Sequence, residues 1–325
     1  MRIIKNKILS IFLIIAVVFG ATACSKPPKK EDVNEKITTV SEDKNKKGSE
    51  DKAEDKNKAG EENKDASKDK SSLNGKLAVH FIDVGQADSI LIQQGEHSML
   101  IDGGNNGDAP LVKDYISKQG VKKLDVVVGT HAHEDHIGAL DDVIDAFPVG
   151  KVYFPKQVAT TKTYEKFVNS VKNKGLKFTL PKVGSTFNLG DAVCSILAPN
   201  KDSYEGGNDY SIVIKLQYGN NSFLFTGDAE TLGEKEILDK KLDVKADVLK
   251  VGHHGSKTST SDGFLKAVAP KYAVISSETG NDYGHPHKVV MDRLNKAKIK
   301  IYRTDEQGTI KAVSDGNTIK FSTTK

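Results

Sequence analysis

The chain has 325 residues, 28% of them charged, and 48 Lys and Arg against 44 Asp and Glu leave a formal charge of +4. The excess is local: residues 1–24 carry three bases (Arg2, Lys5, Lys7) and no acid, residues 25–75 carry 13 Lys against 13 acids, and residues 76–325 carry 32 bases against 31 acids. A near-neutral folded part excludes a global basic field for steering nucleic acid, and two cysteines, Cys24 and Cys194, exclude a disulfide framework.

In chain order, residues 1–24 read as a lipoprotein signal peptide. MRIIKNK is positive, residues 8–20 are a 13-residue apolar run, and Ala21-Thr22-Ala23-Cys24 is a small-residue site ending in cysteine. The run is shorter than the ~20 apolar residues of a spanning helix, and the small residues before Cys24 resemble a bacterial lipobox. The expectation is export and lipidation of Cys24, which anchors the protein on the extracellular face of the cell membrane. Residues 25–75 are mostly Lys, Glu, Asp, Asn, Ser and Gly, so they cannot bury enough surface to offset ordering entropy and read as a disordered charged linker. Flexible-chain scaling gives their 51 residues a span of about 40 Å.

Residues 76–325 are long enough for one sizeable domain. LAVHFIDV, SILIQQ and HSMLID read as strands, with Gly95-Glu96 as the turn between the second and third. Asp108 and Pro110 open a helix that Gly120 closes, and LDVVVGT is a strand feeding into HAHEDH. Tyr164, Phe167, Val168 and Val171 recur at helical spacing up to Gly175. Strands follow around TFNL, VCSIL, YSIVIKLQY and SFLFTGD, then a helix over TLGEKEILDK, the strand ADVLKVG, a helix near DGFLKAVA, the strand KYAVISS, a helix over KVVMDRLNKA and closing strands. Two β-rich halves, each interleaved with helices, predict two sheets packed face to face with helices outside, an α/β fold of four αββα layers.

The chemistry gathers at strand ends. Seven of the nine histidines fall in three clusters, His131, His133 and His136, His253 and His254, and His285 and His287. In H-x-H-x-D-H after an apolar strand, a loop can aim His131 and His133 at one cation and turn Asp135 and His136 toward a second. Neutral imidazole with carboxylate suits zinc or a similar divalent ion.

H-x-H-x-D-H, an acidic residue at the end of a hairpin (Asp102 in Ile101-Asp102-Gly103-Gly104) and Thr226-Gly227-Asp228 after another apolar strand resemble the metallo-β-lactamase superfamily. More narrowly, FIDVGQADSILI, HAHEDHIGAL, NDYSIVIKL, FLFTGDAE, GHHGS, YGHPH and YRTDEQGTI are similar to the hydrolase-like domain of the ComEC/Rec2 competence proteins, which process incoming DNA; phosphorylcholine esterases share part of the pattern. The resemblance covers residues 77–322 and implies an αββα sandwich with a dinuclear site, zinc or manganese, on one edge. It puts His131 and His133 on the first metal, Asp135 and His136 on the second, Asp228 between both, and Asp102 behind the histidine loop as its hydrogen-bonding support. Of His253 and His254, spacing in the esterase-like relatives favours His254 as the remaining ligand and His253 as a phosphoryl contact. Gly255, Ser256 and Lys257 form a turn suited to an anion through backbone N–H groups. His285 is a proton donor, a phosphate contact or a distal ligand. Asn208 stands where many members have a third histidine on the first metal, and an amide oxygen is the weaker ligand.

The reading is a lipid-anchored, metal-dependent hydrolase, monomeric, acting on a phosphodiester such as extracellular DNA through a metal-bridged hydroxide, with His253, Asp135 and His285 at the reacting centre. A phosphorylcholine-type esterase is the competing enzyme, and a module gripping phosphate or DNA without turnover is the alternative outside catalysis. Fold does not fix substrate.

Overall fold

The computed structural model describes residues 75–325. The expected signal peptide, Cys24 and residues 25–74 of the expected linker lie outside the described residues.

Strands β1 (Leu77–Phe81), β2 (Ser89–Gln94), β3 (His97–Gly103), β4 (Leu124–Val128), β5 (Val149–Tyr153) and β6 (Phe178–Thr179) lie side by side in one sheet, which β14 (Ile310–Ser314) and β15 (Ile319–Thr323) complete next to β1. The second sheet runs in the order β13 (Lys300–Arg303), β12 (Tyr272–Ile275), β11 (Val248–Lys250), β10 (Asn221–Phe225), β9 (Val213–Tyr218), β8 (Ala192–Ala198), β7 (Thr186–Leu189). Alternation along each strand decides what meets what. Ile90, Ile92, Met99, Ile101, Val126 and Val128 face the second sheet, which answers with Ile214, Leu216, Phe223, Phe225 and Val248. The intervening Leu91, Leu100 and Val127 point the other way, into a layer with Val112 and Ile116 of α1 (Ala109–Lys118) and Phe167 and Val171 of α4 (Lys162–Asn173). On the far side, Leu224 and Leu249 meet Ile237 of α5 (Thr231–Asp239), Phe264 and Val268 of α6 (Asp262–Val268), and Val290 and Leu294 of α7 (Lys288–Lys296). This is the expected αββα sandwich.

Three features differ from the sequence reading. The short helices α2 (Glu134–Ile137) and α3 (Leu140–Ala146) and the strands β5 and β6 carry too few periodic residues to stand out. The strands expected over LAVHFIDV, ADVLKVG and KYAVISS stop early, at Phe81, Lys250 and Ile275, because the chain leaves the ladder to build loops at the strand ends. The closing strands part company: β13 pairs parallel with β12, whereas β14, after the short helix α8 (Thr304–Gln307), crosses to pair antiparallel with β1. Within the sheets β3, β4 and β5 are parallel, as are β10 to β13. Their carboxyl ends carry the histidine and aspartate motifs, where open α/β sheets bind ligands.

Candidate metal centre

Four loops meet at this edge: the end of β3 brings Asp102, β4 leads into His131 to His136, β10 into Asp228, and β11 into His253 and His254. Asp102 is the hub of the first two. It sits at φ 58°, in the left-handed region that few residues other than Gly, Asn and Asp adopt. Its carboxylate accepts from the Thr130 N–H, the Thr130 hydroxyl and His136 Nδ1, each at 2.8 Å. Because the Thr130 hydroxyl proton goes to Asp102, the Thr130 oxygen is left to accept from His131 Nδ1 at 3.1 Å. His254 Nδ1 in turn donates to the Ser276 carbonyl at 3.0 Å. His131, His136 and His254 are thus all held through Nδ1, which fixes the tautomer that turns the Nε2 lone pair inward.

The inward atoms converge. One atom each of Asp135, His136, Asp228 and His254 lie within 4.8 Å of one another. Asp228 Oδ1 is 3.2 Å from His136 Nε2 and 3.7 Å from His254 Nε2, and Asp135 Oδ2 is 3.3 Å from His254 Nε2. His136 Nε2, His254 Nε2 and Asp228 Oδ1 are buried and lack an aligned hydrogen-bond partner in the protein. An unsatisfied buried polar atom costs about 1–3 kcal/mol, so three meeting at one point fit a cation that binds all of them. His131 Nε2 and His133 Nδ1 face each other at 3.0 Å, and the Asn208 amide oxygen is buried without a partner. Among the described residues, His131 and His133 do not enter the tight four-residue cluster, so the set assigned to the second metal is the better assembled.

The electrostatics fit the same purpose. Burial alone would raise Asp135 and Asp228, but His136 and His254 outweigh it and hold both carboxyls below the usual range. Burial opposes charge on His136 and His254, yet Asp228 with Asp102 around the first, and Asp228 with Asp88 around the second, lifts both above the ordinary imidazole value. Burial, then the neighbouring His136, pushes His131 well down. The carboxylates demand positive charge at this point.

The histidines of GHHGS reach the site by an unusual backbone: His253 and His254 are consecutive non-glycine residues in the left-handed region, at φ 50° and 53°. Such conformations cost of order 1–3 kcal/mol each and persist where the surroundings over-determine them. They bring His254 Nε2 to 3.7 Å from Asp228 Oδ1 and His253 Nε2 to 3.6 Å from Oδ2. In the neighbouring turn, where the sequence reading gave the backbone N–H groups of Gly255, Ser256 and Lys257 to an anion, two of the three have partners within the protein. The Ser256 N–H already donates to the His253 carbonyl at 2.7 Å, and the Lys257 N–H to His287 Nδ1 at 3.0 Å. His285 lies half-buried between Tyr283 and the GHHGS rings, and its Nδ1 accepts from Gln86 at 3.2 Å. Burial and the neighbouring His254, His253 and His287 push its pKa down to about 4, so it is neutral at pH 7.

Sequence reasoning missed Asp88 and Lys250. Both are buried, they pair at 2.9 Å, and Asp88 Oδ1 lies 3.7 Å from His254 Nδ1. The Asp88 N–H also donates to the Asp135 carbonyl at 3.0 Å. It missed Glu230 as well, whose Oε1 accepts from Asn208 and Thr258. A lone lysine inside the apolar run ADVLKVG and a lone acid between two apolar runs at Asp88 were the available signals.

Residues 82–278 match the metallo-beta-lactamase superfamily. The chain belongs to that superfamily. ComE operon protein 3 of Bacillus subtilis is 33% identical over 259 residues, covering 73% of this chain and 33% of that protein. Recombination protein 2 of Haemophilus influenzae is 32% identical over 242 residues, covering 72% of this chain and 28% of that protein. The chain therefore spans about a third of the length of these curated relatives. Among solved structures, the metallo-beta-lactamase fold protein YhfI of Bacillus subtilis is similar at 12% identity and a TM-score of 0.49, covering 76% of this chain and 99% of that one. This ComEC-like member of the superfamily carries a candidate divalent-metal site of aspartates and histidines.

Beside that site, Asp135 opens onto a cavity of about 680 Å³ whose walls include Asp83, Asp108, Glu134, Glu278 and Tyr283, with neither Lys nor Arg among the lining residues.

Proposed function

We propose that the protein is a lipid-anchored extracellular hydrolase of phosphodiesters that uses two divalent ions, zinc or manganese. The observation that carries this reading is the convergence of Asp135, His136, Asp228 and His254, with three buried atoms left for a cation to satisfy. His131 and His133 would join Asp228 in holding the other ion. Bound divalent ions supply a water of lowered pKa and stabilise charge on the attacked and leaving oxygens. The protein's own contribution is orientation. Asp102 and Ser276 fix the tautomers of His136 and His254, and His285, accepting from Gln86 at Nδ1, keeps its proton on Nε2 as a neutral donor toward a substrate oxygen.

Extracellular DNA is the substrate to which the resemblance to the ComEC/Rec2 competence proteins leads. One observation favours a second reading: Asp83, Asp108, Glu134, Glu278 and Tyr283 line the cavity at Asp135, and although Lys325 pairs with Asp83 at 2.9 Å, the excess of acids suits a cationic head group better than a polyanion. A phosphorylcholine-type ester, or another small phosphoester with an ammonium group, would place its cation there. A screen of metal-loaded protein against DNA, RNA, bis-p-nitrophenyl phosphate and phosphorylcholine esters tests both. Cleavage of nucleic acid supports the nuclease, and cleavage confined to the choline ester supports the esterase. Tight DNA retention with no turnover of any substrate replaces both with a binding module.

A further inference from the structure

We infer that Asp88 and Lys250 form a clamp between the two sheets that aligns the halves of the metal cluster, so that what the pair supplies is metal affinity and not stability. The inference rests on the reading of Asp135, His136, Asp228 and His254 as a metal site, and it adds two positioning residues that act through those four.

The cluster is assembled from two halves. Asp135 and His136 follow β4 of the first sheet, whereas Asp228 follows β10 and His254 follows β11 of the second. The two closest approaches both cross from one half to the other, His136 Nε2 to Asp228 Oδ1 at 3.2 Å and Asp135 Oδ2 to His254 Nε2 at 3.3 Å. Groups that share a cation keep such spacings only if the sheet edges stay aligned. The layer between the sheets is apolar, and apolar burial is non-directional. A buried ion pair, in contrast, repays its desolvation only where the geometry is excellent.

Asp88 grips one half with its backbone and the other with its side chain. Its N–H donates to the Asp135 carbonyl at 3.0 Å, and its carbonyl accepts from the N–H of Gly104, two residues past Asp102, at 2.8 Å. Its Oδ1 lies 2.9 Å from Lys250 Nζ and 3.7 Å from His254 Nδ1. Lys250 ends β11, and because Val248 packs between the sheets, alternation turns Lys250 into the same space. Its ammonium also donates to the Val251 carbonyl at 3.1 Å. One carboxylate oxygen of Asp88 further lies within 4.8 Å of a ligand atom of Asp102 and of His136, so this group stands behind both imidazoles of the cluster. Replacing a buried pair by apolar residues of similar volume is often neutral for stability, which leaves the alignment of the two halves as the property that the charges supply.

Stability and metal affinity, measured on the same chelator-stripped full-length proteins, separate the two roles. Zinc binding is followed by calorimetry and folding by denaturant titration in wild type, Lys250→Met and the double variant Asp88→Asn with Lys250→Met. The double variant is expected to recover most of the wild-type stability yet bind its tighter zinc about 10–100-fold more weakly. Its cobalt-substituted form should show an altered visible spectrum, which reports ligand geometry. Affinity that follows stability across these proteins, recovered or lost together, would overturn the clamp and leave the metal site standing. If the double variant does not fold, Asp88→Asn alone decides, because it keeps the size and backbone bonds of Asp88: the same weakening supports the clamp, and wild-type affinity overturns it. A wild type that binds no zinc would overturn the clamp and the metal site together. The expected weakening without hydrolysis of any diester by the wild type would support the clamp and sink the proposed activity.

Discussion

Lys250 and Asp88 meet at 2.9 Å with both side chains essentially inaccessible to solvent, directly behind His254. Removing one partner of such a pair leaves a buried charge uncompensated and typically costs about 3–5 kcal/mol, whereas replacing both is often near neutral. Lys250→Met is therefore expected to lose stability of that order by denaturant unfolding, and Asp88→Asn in the same chain should recover most of it. A loss under about 1 kcal/mol in Lys250→Met would mean that the pair does not stabilise the fold. The pair also marks the boundary of what sequence can reveal about the site. His131, His133, Asp135 and His136 were legible because their spacing is local and their residue types are unusual together. Asp88, Thr130, Glu230 and Ser276 were not, because each gains its role from a partner on another loop. Asp88 to Lys250 and Thr130 to Asp102 exist only once the strand ends are side by side.

The short helix Glu134–Ile137 that carries Asp135 and His136 is held by contact between backbones. A Cβ built on Gly138, its C-terminal neighbour, would lie within 3.0 Å of the backbone of Asn105 and Asn106 and of the Glu134 carbonyl. No flexible side chain can yield there, so Gly138→Ala must separate the histidine loop from the loop after β3. Overpacking of this kind typically costs about 1–3 kcal/mol. The expected outcome is a lower Tm together with weaker metal retention, since Asp102, at the end of β3, leads into one of the two segments being pushed apart and His136 lies on the other. Wild-type Tm and metal content in Gly138→Ala would contradict that contact. At this scale the strands and helices with sustained periodicity, SILIQQ, HSMLID and the helix Lys162–Asn173, were legible from sequence. Elements such as Phe178–Thr179 and Leu140–Ala146 were not, because two to seven residues are too few for a period to declare itself. Nor was the return of Ile310–Ser314 to the first sheet, which follows from sheet packing and not from any local signal.

The whole chain joins the folded sandwich to residues 1–74, and its proposed location rests on their sequence. Among the described residues no helix is long and apolar enough to cross a membrane. If Cys24 carries lipid, the native protein should follow the detergent phase on phase separation, and Cys24→Ala should appear unlipidated and poorly processed. Equal recovery of both forms in the culture fluid, with the same mature mass, would defeat the anchor. The proposal at the centre of this account is that the metal site performs hydrolysis, and one titration tests it most directly. Divalent metal is added to the chelator-stripped full-length protein while hydrolysis of bis-p-nitrophenyl phosphate is followed. Turnover absent without metal, rising as the sites fill and abolished in Asp228→Ala together with metal binding is the expected result. Metal that binds to saturation in the wild type without turnover of this or any other diester would contradict it.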